Sequence, residues 1–323
     1  MNGNGIFIFT KNRVELLRRS CDSISPCNHS IYIIDDSAND EAKNANQMFC
    51  FERNAHYFGI KEQAQLISDL KRRNIDTEFF LKVLGDGEWN LGFARNHALI
   101  LSAFNKFNKV LFLDDDVKIE SESRVNKIFS LLQDYEFVGS KIIGMPDDSI
   151  VGHVATRLGH NDRRMHSGGC LAFRTDVIDN FFLNLYNEDW IWLYLQSLSF
   201  RQIEFGEAIH AVFDPYQNFE NKILFQEIGE ATIDGLEDAV SLGDLNLIKH
   251  ENYWKEKFQE RKMYLQFLKQ QCEVKGEKQL IDIIKWLLQN YPVLESEKHA
   301  SVFVRYFTQK EYFSKLFQEL LFG

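Results

Sequence analysis

The chain reads as an α/β protein, and three features of the sequence say so. Short apolar runs recur through the first two thirds, at residues 6–9, 31–34, 110–113, 137–143 and 203–213. Stretches with helical spacing lie between them, notably at 14–21, 61–73 and 92–104. Strand and helix patterns therefore alternate, as they do where helices cover a sheet. The early runs, Ile6-Phe-Ile-Phe9 and Ile31-Tyr-Ile-Ile34, are continuous rather than alternating, which suits strands buried on both faces of a parallel sheet.

After about Pro215 the pattern changes. Glycine nearly vanishes beyond Gly243, and Phe303, Phe307, Phe313, Phe317 and Leu320 fall at helical spacing. The expected division is an α/β unit at 1–215 followed by a helical region at 216–323. Charge follows the same line, because residues 251–323 carry 12 Lys+Arg and 10 Asp+Glu in a chain whose formal net charge is −10. The acidic excess thus belongs to the α/β part, and so do the carboxylates of chemical interest. An acidic chain also argues against nucleic acid as the main ligand, since phosphate backbones require a cationic footprint.

With 323 residues, 45% of them apolar, the chain can bury a full core. Its five cysteines, Cys21, Cys27, Cys50, Cys170 and Cys272, form no CxxC pair and are too dispersed for a disulfide framework. The apolar stretch at 6–9 lacks a basic lead and is too short for a signal segment, and no run approaches the ~20 residues of a spanning helix. The expectation is a cytoplasmic protein with reduced thiols and no integral membrane segment. Its aromatic C-terminal helices have three uses open to them: packing on the core, forming a homodimer, or resting peripherally at the inner membrane face. Their near-neutral charge favours the first two.

The sharpest chemical feature is Val110-Leu-Phe-Leu113 followed by Asp114, Asp115 and Asp116. A buried strand ending in three carboxylates concentrates negative charge at the carboxyl edge of a sheet, where open α/β folds place their ligands. Adjacent carboxylates repel, so a hard divalent cation with oxygen ligands is the natural partner; a solvated acidic turn is the alternative. A second acidic strand end is Asp35-Asp36-Ser37, where a carboxylate is suited to bonding a base or ribose, or else to capping a helix. The order strand, Thr10-Lys11-Asn12-Arg13, helix, strand, Asp35-Asp36 is that of a nucleotide-binding half-fold. There is no GxGxxG and no GxxxxGK[ST], which disfavours a dinucleotide site and a P-loop alike.

Downstream, Trp89-Asn90-Leu-Gly92-Phe-Ala-Arg95-Asn96 sets a glycine at a helix start and an arginine one turn in, able to pair with a phosphate or simply to be exposed. Gly168 and Gly169 precede the apolar 170–173 and allow either close substrate approach or a β-bulge. Glu188 and Asp189 open an aromatic helix, as a general base or as capping acids. His210, on the apolar run 203–213, is suited to completing a metal site or to filling the core, and His250 is a weaker candidate for the same role. Trp89, Trp190 and Trp192 are as consistent with core as with sugar contacts.

Taken in order, these segments resemble a family-2-like glycosyltransferase of the GT-A fold. The matching pieces are Ile6-Phe-Ile-Phe-Thr-Lys-Asn-Arg13, Ile33-Ile-Asp-Asp-Ser37, Asn90-Leu-Gly-Phe-Ala-Arg-Asn96, Leu111-Phe-Leu-Asp-Asp-Asp116, Ser167-Gly-Gly-Cys170 and Asn187-Glu-Asp-Trp190. They span about residues 5–213, and their order is more specific than any one of them. The resemblance implies a mixed, mostly parallel sheet flanked by helices, with a helical C-terminal region. It implies transfer from a nucleotide-sugar, with a UDP-sugar as the default, to a hydroxyl on a glycan, lipid-linked or protein acceptor. Asp114 and Asp116 stand where the family's DxD motif stands and, with His210, would hold Mn2+ or Mg2+. Thr10, Asn12, Arg13, Asp35, Asp36, Asn90, Gly92, Arg95, Asp114, Asp115, Gly168, Gly169 and Glu188 would surround the donor. Within that group Asp36 would meet the base, Arg95 the base or diphosphate, and the glycine pair the sugar and acceptor side. Asp189 matches the base that deprotonates the acceptor, which implies inversion at the anomeric carbon.

The sequence departs from the pattern in two places. Asp35-Asp36-Ser37 lacks the customary following glycine, and the polar stretch 39–46 reads as an insertion in the loop after it. A retaining GT-A enzyme also uses a DxD and a late histidine. Two other classes compete. A haloacid-dehalogenase-like phosphatase also places DxD after a strand, but wants Thr or Val where this chain has Lys118, and normally near the N-terminus. A noncatalytic nucleotide- or sugar-binding protein on the same fold is the other, although every proposed base and metal residue is present.

Overall fold

The computed structural model describes residues 3–26, 28–72, 91–145, 149–160, 168–196, 201–291 and 296–322. Strand β1 (Asn4–Thr10) leads into helix α1 (Val14–Ser23), β2 (Ser30–Asp35), α2 (Asp40–Arg53), β3 (His56–Phe58) and α3 (Ile60–Arg72). Helix α4 (Leu91–Phe104) precedes β4 (Lys109–Asp114), β5 (Val117–Ile119), α5 (Glu122–Leu131), β6 (Phe137–Ile143) and α6 (Ile150–Leu158). Then come β7 (Cys170–Arg174), α7 (Glu188–Leu195) and β8 (Gln202–His210), and after them only helices: α8 (Ile223–Ser241), α9 (Glu251–Lys275), α10 (Lys278–Asn290) and α11 (Ser296–Phe322), with short 3-10 turns between.

The strands form one sheet in the order β3-β2-β1-β4-β7-β6-β8-β5. β1, β2, β3 and β4 pair in parallel, β7 runs antiparallel between β4 and β6, and β6 returns to parallel pairing with β8. This is the α/β class that the alternating pattern leads one to expect, in the mixed, mostly parallel form that the resemblance implies, helical C-terminal region included. Phe7 and Phe9 face one side of the sheet and Ile6 and Ile8 the other, all essentially buried, so the continuous apolar run reflects helices on both faces.

Two local expectations need correction. The polar stretch at 39–46 is not an open loop. Asn39 caps α2 by accepting from the Glu41 amide, and Ala42, Asn46, Phe49 and Cys50 form its buried side. The glycine pair at 168–169 forms a turn into β7 rather than a bulge within a strand.

The C-terminal helices are part of the main core. Phe303, Tyr306, Phe313 and Phe317 share one buried cluster with Phe7 and Phe112 of the sheet and with Trp192. Phe181 bridges the two parts, with its ring 5.2 Å from that of Tyr306 and 5.5 Å from that of Phe313. Burial of such rings is worth about 1.5–3 kcal/mol each, so the helical region contributes to the stability of the α/β unit. Among the described residues no helix is long and apolar enough to cross a membrane.

Candidate active site at the carboxyl edge of the sheet

β1 and β4 are parallel neighbours with Phe9 opposite Asp114, so the turn after β1 and the three aspartates after β4 emerge together. The backbone ties them: the Asp115 amide donates to the Phe9 carbonyl, the Asp36 amide to the Thr10 carbonyl, and the Asp114 amide to the Gly169 carbonyl. All three strand ends and the glycine turn thus meet at one edge. The aspartates point different ways. Asp115 is buried; its Oδ2 accepts from the Thr10 hydroxyl at 2.7 Å and from Arg13 Nε at 3.2 Å, and its Oδ1 forms an ion pair with Arg13 Nη2 at 2.6 Å. Burial pushes its pKa up to about 7 against the pull of Arg13 and Thr10. Asp116 pairs with Arg13 Nη1 at 2.5 Å and has His210 Nε2 at 3.5 Å from Oδ1. Asp114 faces Arg95 Nη2 at 3.3 Å, and burial raises its pKa too.

Asp114, Asp116 and His210 line a cavity of about 650 Å3 together with Lys11, Arg13, Arg19 and Asp36. Phe9, Ile34 and Ala94 supply apolar wall, and Ala211, Val212 and Phe213 extend it past β8. Asp36 is paired with Lys11 at 2.7 Å, while burial raises its pKa. A cavity of that size, lined by both apolar and charged side chains, is suited to a small charged ligand with an apolar part.

Several expected site residues take other positions. Asp35 is buried and accepts from Asn46 Nδ2, the Tyr57 hydroxyl and the Ser37 amide, so it braces β2. Asn12, with φ at +57°, accepts the amides of Ala38 and Asn39 and thereby ties the turn after β1 to the loop after β2. Gly92 is buried in α4. Trp192 is wholly buried, stacked on Phe182 at 4.5 Å, and Trp190 packs against the same cluster. Trp89 and Asn90 lie outside the described residues.

Arg95 is 2% exposed and links the aspartates to α7. Its guanidinium lies between the rings of Phe9 and Phe182, 5.7 and 5.8 Å from their centres. Nη1 donates to Glu188 Oε1 at 2.7 Å and stands 4.0 Å from Asp189. Burial works against its charge, but Glu188 and Asp114 more than offset that and hold its pKa above the ordinary value. Burial likewise pushes Glu188 up to about 7, despite Arg95. Asp189 accepts from the Gly168 amide at 2.5 Å and from the Trp190 amide at 2.8 Å. Position 168 must be glycine, because a Cβ there would lie 2.6 Å from Arg95 Nη1 and 2.7 Å from Asp189 Cβ.

Lys11 and Arg19 are cavity residues that sequence reasoning did not single out. Leu16 and Arg19, three apart on α1, turn the same face to the cavity as Arg13 at its N-terminal end, a signal present in the sequence. Among the described residues no three His, Cys, Asp or Glu side chains converge as a ready-made metal cage. Two aspartates open to the cavity, with a histidine beside them, fit a hard divalent cation that keeps waters and takes its remaining ligands from a substrate's phosphates.

No protein-family model matches the chain, and no curated protein matches it. Solved structures do. The chain is similar to glucosyl-3-phosphoglycerate synthase from Mycobacterium tuberculosis in complex with Mn2+, UDP and glucosyl-3-phosphoglycerate, at 14% identity and a TM-score of 0.48, covering 73% of this chain and 80% of that one. The same enzyme with Mn2+, UDP-glucose and glycerol 3-phosphate matches at 15% identity and a TM-score of 0.47, over 73% and 80% of the two chains. With Mg2+ and UDP it matches at 15% and 0.44, over 69% and 77%.

Proposed function

We propose that this chain is a metal-dependent GT-A glycosyltransferase that moves a sugar from a nucleotide diphosphate, UDP by default, to an acceptor hydroxyl with inversion. The observation that carries the reading is the pair Asp114 and Asp116 at the end of β4, opening on a cavity of about 650 Å3 that also holds Lys11, Arg13, Asp36 and His210. Carboxylates and cations interleaved on one wall suit a ligand that is itself a diphosphate carried with a divalent ion. Mn2+ or Mg2+ held by Asp114 and Asp116, with His210 alongside, would stabilise the negative charge developing on the departing diphosphate.

The chain's own residues do the rest. Asp36, steadied by Lys11, offers a carboxylate to the base or ribose against the apolar wall of Phe9 and Ile34. Arg95 acts from behind, orienting Asp114 on one side and Glu188 on the other. Asp189 is the general base. The Gly168 and Trp190 amides take one lone pair on each of its oxygens and fix its orientation. A carboxylate has about four such sites, so acceptor-facing ones remain for the hydroxyl proton. The catalytic unit is residues 1–215.

The test is thermal melting with UDP, GDP, CDP or dTDP, each with Mn2+, Mg2+ or EDTA, on the wild-type chain and on Asp116→Ala. At a ligand concentration about 100 times Kd, binding to the native state adds about 2.7 kcal/mol of stability. The expected outcome is a metal-dependent rise with one nucleotide, lost in Asp116→Ala. No rise with any nucleotide, or an equal rise in the variant, would overturn the reading.

A further inference from the structure

The helical region also reaches the acidic turn itself. The segment that delivers Glu188 and Asp189 begins at Tyr186 and Asn187, and both are held by α8. Gly229 on α8 lies so close to Tyr186 that a Cβ there would come within 2.3 Å of the Tyr186 carbonyl oxygen and 2.6 Å of its Cβ. The next residue, Glu230, accepts from Asn187 Nδ2 at 3.1 Å. Asn187 adopts the left-handed conformation, φ +60° and ψ +34°, and its carbonyl accepts the first helical bond of α7, from the Ile191 amide. A left-handed non-glycine residue persists where its surroundings hold it, and here its own side chain is the tether.

Glu230 is held in turn. Arg261 on α9 is 6% exposed and pairs with Glu227 through Nε at 2.8 Å and Nη2 at 3.0 Å. The same guanidinium reaches Glu230 at 3.8 Å and Asp234 at 3.4 Å. Glu227, Glu230 and Asp234 recur at i, i+3 and i+7, so one arginine fixes one face of α8, and that face carries the tether for Asn187. The line runs from Arg261 through Glu230 and Asn187 to Glu188 and Asp189, and on through Arg95 to Asp114.

We infer that Glu230, backed by Arg261, is a positioning residue: the C-terminal helices set the start of α7, and with it the placement of Glu188 and Asp189 against Gly168 and Arg95. The catalytic consequence rests on the reading of Asp189 as the base; the positioning itself does not. The tether can therefore be tested without turnover, by hydrogen exchange of the metal-free chain in peptides covering 187–195. Losing one such bond is worth about a three- to tenfold change in local opening. Glu230→Ala should speed exchange there by that factor and leave α10 unchanged, and Asn187→Gly should do the same, since glycine keeps the left-handed backbone and drops the side chain. Glu230→Gln, which retains an acceptor oxygen for Asn187, should restore most of the protection.

Turnover of UDP-glucose with Mn2+ supplies the second readout. Glu230→Ala should lower kcat about tenfold with the donor KM unchanged, and Glu230→Gln should recover it. Unaltered exchange at 187–195 in Glu230→Ala, or loosening spread equally over α8, α9 and α10, overturns the positioning role. Altered exchange in a chain whose wild type neither binds nor turns over any nucleotide-sugar would instead overturn the transferase reading and leave the tether standing.

Discussion

Two buried charge clusters in this molecule are built from the same residue types and do different things. At the sheet edge, Asp114, Asp115, Asp116, Glu188 and Asp189 share two guanidiniums, Arg13 and Arg95, and Asp114 and Asp116 open on a cavity that Lys11, Arg13 and Arg19 also line. Between α8 and α9, Glu227 meets Arg261 through two parallel hydrogen bonds, while Glu230 and Asp234, less deeply buried, lean on the same arginine. None of those helix residues lines the cavity. In the helix cluster three carboxylates of α8 share the one guanidinium of Arg261, and the cluster works as a fastener. In the edge cluster burial pushes Asp115 and Glu188 up to about 7 in spite of Arg13 and Arg95, a mismatch between burial and charge that sits beside a cavity.

The largest expected effect separates chemistry from binding within the edge cluster. Asp189→Asn keeps the shape and one of the two amide bonds, from Gly168 or from Trp190, but cannot take a proton. In the proposed reaction it should cut transfer about 10²–10⁴-fold, the usual contribution of a general base, with metal-dependent nucleotide affinity unchanged. Kinetics alongside melting with UDP and Mn2+ would show it. Transfer at the wild-type rate would move the base elsewhere.

Next in size is a stability contrast between the two clusters. Arg261→Ala strands Glu227, which is 1% exposed, and removing one partner of so buried a pair costs about 3–5 kcal/mol. Arg13→Ala strands Asp115, whose side chain is fully buried, but that carboxyl keeps the Thr10 hydroxyl and, already pushed up to about 7 by burial, can take a proton, which holds the loss to about 1–3 kcal/mol. Urea unfolding of the two variants measures the contrast directly. If Arg13→Ala costs as much as Arg261→Ala, the edge cluster is as much a fastener as the helix one.

The sequence made the frame of this arrangement legible and hid its wiring. Runs such as 6–9 and 110–113 declare themselves because every residue is apolar, whereas β3, β5 and β7 span three to five residues and owe their existence to partners far away in the chain. Helix α2 was masked by its composition, since its buried side rests on Ala42, Phe49 and Cys50 amid polar neighbours. The aspartates at the strand ends were legible as a cluster, yet adjacent residues in a tight turn point opposite ways. Nothing local tells Asp36, on the cavity, from Asp35, beneath it, or Asp116 from Asp115. Arg95 read as a ligand contact because its partners Glu188 and Asp114 lie 93 and 19 residues away. The share of α8 and α9 in the site was invisible for the same reason: a tether between Asn187 and Glu230 is a fact of packing, not of spacing.

The smallest expected effect is a pH dependence that tests the mismatch at the edge. Glu188 has an ordinary pKa of 4.5 and is pushed up to about 7 by burial, so between those values the folded chain binds more proton than the unfolded one. Its contribution to stability is full below about 4.5 and is lost as pH rises through about 7. His97 and His299, each lowered by burial to about 4 from 6.5, work the other way: their contribution is present above 6.5 and fades as pH falls. The two effects oppose one another below 6.5, and above it the carboxylates act alone, Glu188 together with Asp115, which burial also pushes up to about 7. Melting of the metal-free chain should therefore fall by roughly 2–4 °C from pH 6.5 to pH 8, about what 1 kcal/mol moves a chain of this class. Glu188→Gln, permanently neutral at that position, should remove about half of the decline and leave the share of Asp115. A wild-type Tm that stays level or rises over that interval would mean that Arg95 and Arg13 already satisfy Glu188 and Asp115, and the edge cluster would then be a fastener like the one between the helices.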